Sequence, residues 1–144
     1  MVGLVAGDFG KLHSGHLDHI RKAYDMCDYL YIVTHSDESI RARKQYEPDC
    51  LCDRVAFLNI FLKGLGDKGE VVLAIDDDGT CVKTLRKYKP DLLIKGGDRI
   101  KSNMPKEELD VCEELNIKII YGVGRQLNSS SEVARNAMGK DQRE

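Results

Sequence analysis

The sequence predicts an α/β domain: a five-stranded parallel sheet of strand order 3-2-1-4-5 with helices on both faces. Two observations carry this. Short apolar runs rich in β-branched residues alternate with segments of helical period along the chain. The strand-like runs are continuously apolar rather than alternating, as strands buried on both faces are.

Taken in order, residues 2–6 form a first strand that breaks at Gly7. In residues 15–27, Leu17, Ile20, Ala23, Tyr24 and Cys27 recur at helical spacing with charges between them. Residues 29–34 read as a second buried strand, and Ser36-Asp37 caps a short helix reaching about Arg43. Residues 44–51 have no period and contain Pro48, so they form a loop. Helical spacing returns over 53–63 through Val55, Leu58, Ile60, Phe61 and Leu62. A third strand is expected over 71–75, and Asp76-Asp77-Asp78 caps a helix over 80–88 that Pro90 ends. Residues 92–95 make the fourth strand, broken by Gly96-Gly97. An amphipathic helix over 106–115, a fifth strand over 117–121 and a closing helix over 131–138 complete the pattern. With no linker, low-complexity tract or repeat, residues 1–144 read as one domain.

Composition narrows the function classes. Lys plus Arg number 22 against 24 Asp plus Glu, a net charge of −2, which argues against a nucleic-acid surface. No apolar run approaches the roughly 18 residues a membrane span needs. Residues 1–6 lack a basic leader and read as a strand, not a signal peptide. The cysteines, Cys27, Cys50, Cys52, Cys81 and Cys112, are odd in number and lack disulfide-type spacing, which points to a reducing cytoplasm. Cys50-x-Cys52 has no second ligand pair near it and reads as ordinary thiols.

In a sheet of this Rossmann-like, mononucleotide-binding order, ligands bind beyond the strand C-termini between strands one and four. The two most unusual loops follow those strands. After strand one comes Gly7-Asp8-Phe9-Gly10-Lys11-Leu12-His13-Ser14-Gly15-His16. Histidines three apart at a helix start project from one side of its first turn. The unpaired N–H groups of that turn favour an anion, and Gly15 lets a ligand approach the backbone. The same pair could instead simply cap an amphipathic helix. After strand four comes Lys95-Gly96-Gly97-Asp98, where bare backbone could meet a ligand and Asp98 accept from a sugar or base; a plain turn is the alternative. Later, Arg125 precedes Ser129-Ser130-Ser131. A helix cap explains one serine, but not three behind an arginine.

Together, GDF before HSGH, KGGD after a strand, and SSS-x-x-x-R resemble the cytidylyltransferase-like nucleotidyltransferases. Ser36-Asp37-Glu38, Lys44, Arg54 and Pro90-Asp91-Leu92-Leu93-Ile94 add matches in the same order, so the resemblance covers nearly the whole chain. It is strongest to the adenylyltransferase domains that make ADP-heptose from a heptose 1-phosphate. Glycerol-3-phosphate cytidylyltransferases are similar but differ around KGGD.

The resemblance implies transfer of NMP from an NTP, ATP favoured, to a phosphorylated small molecule such as a sugar phosphate. Catalytic roles would fall to His13, His16 and Lys44. Nucleotide binding would fall to Asp8, Phe9, Gly15, Gly97, Asp98, Arg125, Ser129, Ser130 and Ser131. Arg54, on the substrate side, would clamp the remaining phosphate oxygens with Lys44 and the serine turn, and Lys11, where the chain departs from the family, either contacts the acceptor phosphate or is a solvated side chain. It also implies Mg²⁺ carried by the phosphates, with no protein metal ligands, and a homodimer. A cytidylyltransferase acting on glycerol 3-phosphate or a choline-phosphate-like acceptor is the alternative reading, and a non-catalytic nucleotide sensor is the rival class. One departure matters: the family pattern G-x-F-D-x-x-H-x-G-H has an aspartate, often followed by proline, where this chain has Gly10-Lys11. Three further expectations follow from position: His19 on the exposed continuation of its helix, His35 at the crevice rim, and residues 44–51 as a lid bringing Lys44 onto the phosphates.

Overall fold

The computed structural model describes residues 1–97 and 99–124. Its elements follow the alternation read from the sequence: β1 (Val2–Gly7), α1 (Ser14–Asp25), β2 (Tyr29–Thr34), α2 (Asp37–Arg43), α3 (Leu51–Leu65), β3 (Gly69–Leu73), α4 (Val82–Tyr88), β4 (Leu92–Gly96), a 3₁₀ turn (Lys101–Asn103), α5 (Lys106–Glu114) and β5 (Lys118–Val123). The five strands pair in parallel in the order β3-β2-β1-β4-β5. This is the Rossmann-like α/β sheet the sequence predicts. The closing helix expected over 131–138 lies outside the described residues.

Apolar side chains fill both faces of the sheet. Val5, Leu30, Ile32 and Ile94 pack against Ile20 and Ala23 of α1 and Leu58 and Leu62 of α3. Leu4, Val33 and Leu93 pack against Leu85 of α4 and Val111 and Cys112 of α5 on the other side. Burying strands from both sides is what made their sequences continuously apolar.

Local chemistry sets the boundaries. Ser36 caps α2 by accepting the Ser39 N–H at 3.1 Å. Asp76 reaches across to α4, accepting the N–H groups of Lys83 at 2.8 Å and Thr84 at 3.0 Å. It thus satisfies first-turn donors as a cap does. β3 begins two residues earlier than its apolar run suggested, because pairing with β2 runs from Leu30↔Gly69 to Thr34↔Leu73. A Cβ at Gly69 would sit 2.7 Å from the Leu30 carbonyl oxygen, so this entry to the strand requires glycine. Ile75 has left the ladder and donates its N–H to Thr84 Oγ1 at 3.0 Å.

All five cysteines are free thiols. Among the described residues no helix is long and apolar enough to cross a membrane.

Candidate functional site

β1 and β4 stay paired only at Gly3↔Leu92 and Leu4↔Leu93. Beyond Leu4 they diverge, which opens the crevice expected where the strand order reverses. The loop leaving β1 starts at this end of the sheet. Phe9 takes a left-handed φ of 51°, uncommon for a bulky residue, and its ring is buried at 3% exposure. The preceding carbonyl is fixed from two sides: Asp8 O accepts from Thr34 Oγ1 at 2.9 Å and from Arg54 Nη1 at 3.1 Å.

The two histidines come together as their spacing implied. Their rings stack with centroids 3.8 Å apart and planes 23° from parallel, and Phe9 meets His16 edge-on at 5.0 Å. His13 is the N-cap of α1, its Nδ1 accepting the Gly15 N–H at 3.1 Å. That bond places the hydrogen of a neutral His13 ring on Nε2. His16 Nδ1 is a buried polar atom with no hydrogen-bond partner among the described residues. Burial first, then the neighbouring rings of His13 and His19, bring the His16 imidazole down to about 3, with Asp8 opposing. At neutral pH His16 is therefore an uncharged imidazole at the positive end of a helix.

His19 departs from expectation. It is buried, and its Nε2 lies 3.1 Å from the Ile94 carbonyl of β4, tying α1 to the sheet. The i, i+3 spacing from His16 turned it inward because α1 packs along the sheet.

Beside the histidines the charged residues form a connected set. Asp8 accepts from Arg43 Nη2 at 2.6 Å and Nη1 at 3.4 Å, with Lys44 Nζ 3.8 Å away. Burial pushes the Asp8 carboxyl upward, but the Arg43 bond and the charges of Arg43, His35 and Lys44 outweigh it and hold the group below the ordinary carboxylate value. Lys44 thus stands at the crevice mouth. Arg43 enters with it, although the sequence marked it only as the end of a short helix.

Arg54 and Lys11 both have partners within the chain. Arg54 is 1% exposed. Its Nε donates to Asp49 O at 2.8 Å, its Nη1 to Thr34 Oγ1 at 2.6 Å and His35 O at 2.8 Å, and its Nη2 to Asp37. Lys11 Nζ forms an ion pair with Asp49 Oδ1 at 2.9 Å.

The expected lid is likewise fastened by the chain itself. Asp49 N–H donates to Gly10 O at 2.8 Å, and Arg41 holds Glu47 at 2.9 Å. The Tyr46 ring covers Gly10 so closely that a Cβ there would overlap Tyr46 Oη and lie 3.0 Å from two ring carbons. The aspartate that the family pattern carries at this point is thus replaced by space for a tyrosine, and the loop's carboxylate sits at Asp8 instead.

Two further features complete the mouth. His35 is 3% exposed with its Nδ1 unpartnered among the described residues. Burial lowers its pKa and Arg43 adds to this, against the pull of Asp8. A cleft of about 460 Å³ opens beside His13, lined by Leu12, Leu17, Phe57, Asp49 and Asp53 among others, a size common for small-molecule sites. Gly97 forms the turn directly after β4. Asp98, Arg125, Ser129, Ser130 and Ser131 lie outside the described residues.

Residues 4–136 match the family model described as cytidylyltransferase-like. Bifunctional protein HldE of Campylobacter curvus is 37% identical over 94 residues, 64% of this chain and 19% of that protein. Bifunctional protein HldE of Rhodopseudomonas palustris is 31% identical over 142 residues, 96% of this chain and 27% of that protein. The chain therefore spans only a minor part of the length of these relatives. Among solved structures, a lipopolysaccharide core biosynthesis protein from Thermoplasma volcanium has the same fold, with a TM-score of 0.64 at 23% identity over 83% of this chain and 93% of that one. A universal stress protein from Archaeoglobus fulgidus in complex with dAMP has a TM-score of 0.53 at 18% identity, over 83% of this chain and 95% of that one.

Proposed function

The chain belongs to the cytidylyltransferase-like family of nucleotidyltransferases, and from that membership we propose that it transfers NMP from an NTP to a phosphorylated small molecule, releasing pyrophosphate. ATP is the favoured donor, on the likeness of Lys95-Gly96-Gly97-Asp98 to the adenylyl-transferring members, and a sugar phosphate the favoured acceptor. The observation that carries the reading is the stacked His13–His16 pair at the N-terminus of α1, beside a crevice where two strands part.

An oxygen of the acceptor phosphate attacks the α-phosphorus of the NTP. The bond from that phosphorus to the bridging oxygen breaks in line, and its electron pair leaves with pyrophosphate. No side chain needs to become covalently attached. Catalysis is positioning and charge stabilisation.

His13 Nε2–H donates to the departing phosphates at the positive end of α1. His16, uncharged before binding, gains affinity for a proton as negative charge arrives, so its donor strength rises with the charge it serves. Lys44 supplies a mobile cation. Arg54 positions rather than touches: it ties the ends of β1 and β2 to the loop that enters α3 at Asp49. The cleft beside His13 has room for the organic part of the acceptor.

Among the described residues no three His, Cys, Asp or Glu side chains gather as a metal site. Asp8, the carboxylate of the β1 loop, is already held by Arg43. Magnesium is proposed as an ion carried on the nucleotide phosphates, where it would neutralise part of their charge.

We also place the protein in the cytoplasm, in keeping with its free thiols, and assign it a homodimeric state. In α3, Phe57 is 48% and Ile60 73% exposed, an apolar face that a second copy could cover.

Pyrophosphate release measured with ATP and CTP across sugar phosphates, glycerol 3-phosphate and phosphocholine tests the reaction. Turnover at least about tenfold better with ATP by kcat/KM is expected. A CTP preference would move the protein to the cytidylyl-transferring members. NTP binding with no pyrophosphate from any acceptor would make it a nucleotide sensor.

A further inference from the structure

A carboxylate at the mouth of a phosphate site is a hazard, because it repels the substrate and attracts the cation meant for it. Asp8 is such a group. It is 17% exposed in its side chain, and its charge is felt by both His16 and His35. Its backbone is held in place, since Asp8 O is bonded by Thr34 and Arg54 and the buried Phe9 follows it.

Two cations share Asp8 unequally. Arg43 binds it at 2.6 Å and is itself seated: its Nε donates to Ser39 Oγ at 3.3 Å and its Nη2 to the same oxygen at 3.2 Å. Gly79 gives the side chain its room, for a Cβ there would lie 2.8 Å from Arg43 Cδ. Lys44 stands off at 3.8 Å with 44% of its side chain exposed. A planar guanidinium matches a carboxylate with two donors, whereas an ammonium is a point charge on a flexible stem.

We propose that Arg43 is a positioning residue of this site: by taking the charge of Asp8, it leaves Lys44 available to a phosphate. This rests on the nucleotidyl-transfer reading only in giving Lys44 a phosphate to meet. Arg43 need touch no substrate. Without it, Asp8 captures Lys44 and faces the incoming anion uncompensated.

The test reads binding rather than turnover. Calorimetry measures the Kd of inorganic pyrophosphate for the full chain, its Arg43→Gln, Asp8→Asn and Lys44→Ala variants, and the Arg43→Gln/Asp8→Asn double variant. Arg43→Gln and Lys44→Ala should each weaken binding by at least about tenfold. Asp8→Asn should tighten it. The double variant should return to within about threefold of the parent, because removing the carboxylate removes the need for its partner.

Arg43→Lys, which keeps the charge but not the two-pronged contact, should weaken binding by about two- to fivefold, less than Arg43→Gln, and serves if Arg43→Gln fails to fold. A double variant as weak as Arg43→Gln overturns the proposal and makes Arg43 a direct ligand. Unchanged affinity in Arg43→Gln, or a parent that binds no pyrophosphate, overturns it as well. Pyrophosphate release assayed in parallel reports on the reaction separately: binding that follows this pattern without turnover removes the proposed function and leaves the role of Arg43 standing.

Discussion

The ring of His16 lies against that of His13 with centroids 3.8 Å apart. Two imidazoles this close cannot both be protonated cheaply, and each is placed to donate where an anion meets the first turn of α1. Donors that strengthen as charge develops are worth about 10²–10³ in kcat. His13→Ala and His16→Ala should each lower turnover by that factor, while the Kd for nucleotide changes far less. Near-normal kcat in both variants would reject the assigned chemistry.

Stability should carry the mark of His16 in its pH dependence. The unfolded imidazole titrates near 6.5 and the folded one at about 3. Below 6.5 the unfolded chain therefore binds the extra proton. The stability this group contributes is fully present above 6.5 and is lost as pH falls toward 3, at up to about 1.4 kcal/mol per pH unit. His35, also lowered, acts in the same direction. Asp8 and Asp37, held below 3.8, add to the loss only at more acidic pH. Urea unfolding at pH 7, 6 and 5 should show a steeper decline in the parent than in His16→Gln, and equal slopes would contradict the assignment.

Local spacing made part of this molecule legible and long-range pairing hid the rest. Parallel strands buried on both faces declare themselves in runs such as Tyr29–Thr34, and the crevice follows from their order. His13 and His16 were visible because one helical turn brings them together. Arg54 was not. Its partners come from positions 8, 34, 35, 37 and 49, and no periodicity signals that convergence. Nor does anything near Arg43 announce Asp8, 35 residues earlier. The inward turn of His19 depended on which side of α1 the sheet would occupy, and the start of β3 on a glycine that carries no apolar signal.

Arg54 therefore gives a stability prediction where the sequence alone suggested a contact to phosphate. Removing a buried cation that serves a carboxylate and several backbone carbonyls leaves those acceptors unsatisfied, at a cost of about 3–5 kcal/mol. Arg54→Ala should lose that much in urea denaturation, and Arg54→Lys should recover little of it because an ammonium cannot span the same partners. An unchanged unfolding midpoint with a collapsed kcat would return Arg54 to the phosphates.

The Gly10–Tyr46 contact separates two explanations for the missing aspartate. Either the β1 loop needs glycine for its own backbone, or it needs an empty position to receive Tyr46. The second follows from the geometry. Gly10 is not among the residues with positive φ, so alanine suits its backbone, yet a Cβ would overlap the tyrosine hydroxyl. Gly10→Ala should therefore push the Tyr46 ring aside, at a cost of about 1 kcal/mol because only the far end of that side chain must move. In a Tyr46→Ala background the same change should cost almost nothing, giving a coupling of about 0.5–1 kcal/mol in the double-mutant cycle. Displacing the ring should also loosen the segment it covers, so the Asp49 amide, bonded to Gly10 O at 2.8 Å, should exchange faster in Tyr46→Ala. Should Gly10→Ala cost the same with and without Tyr46, the glycine serves the backbone, and the tyrosine merely lies over it.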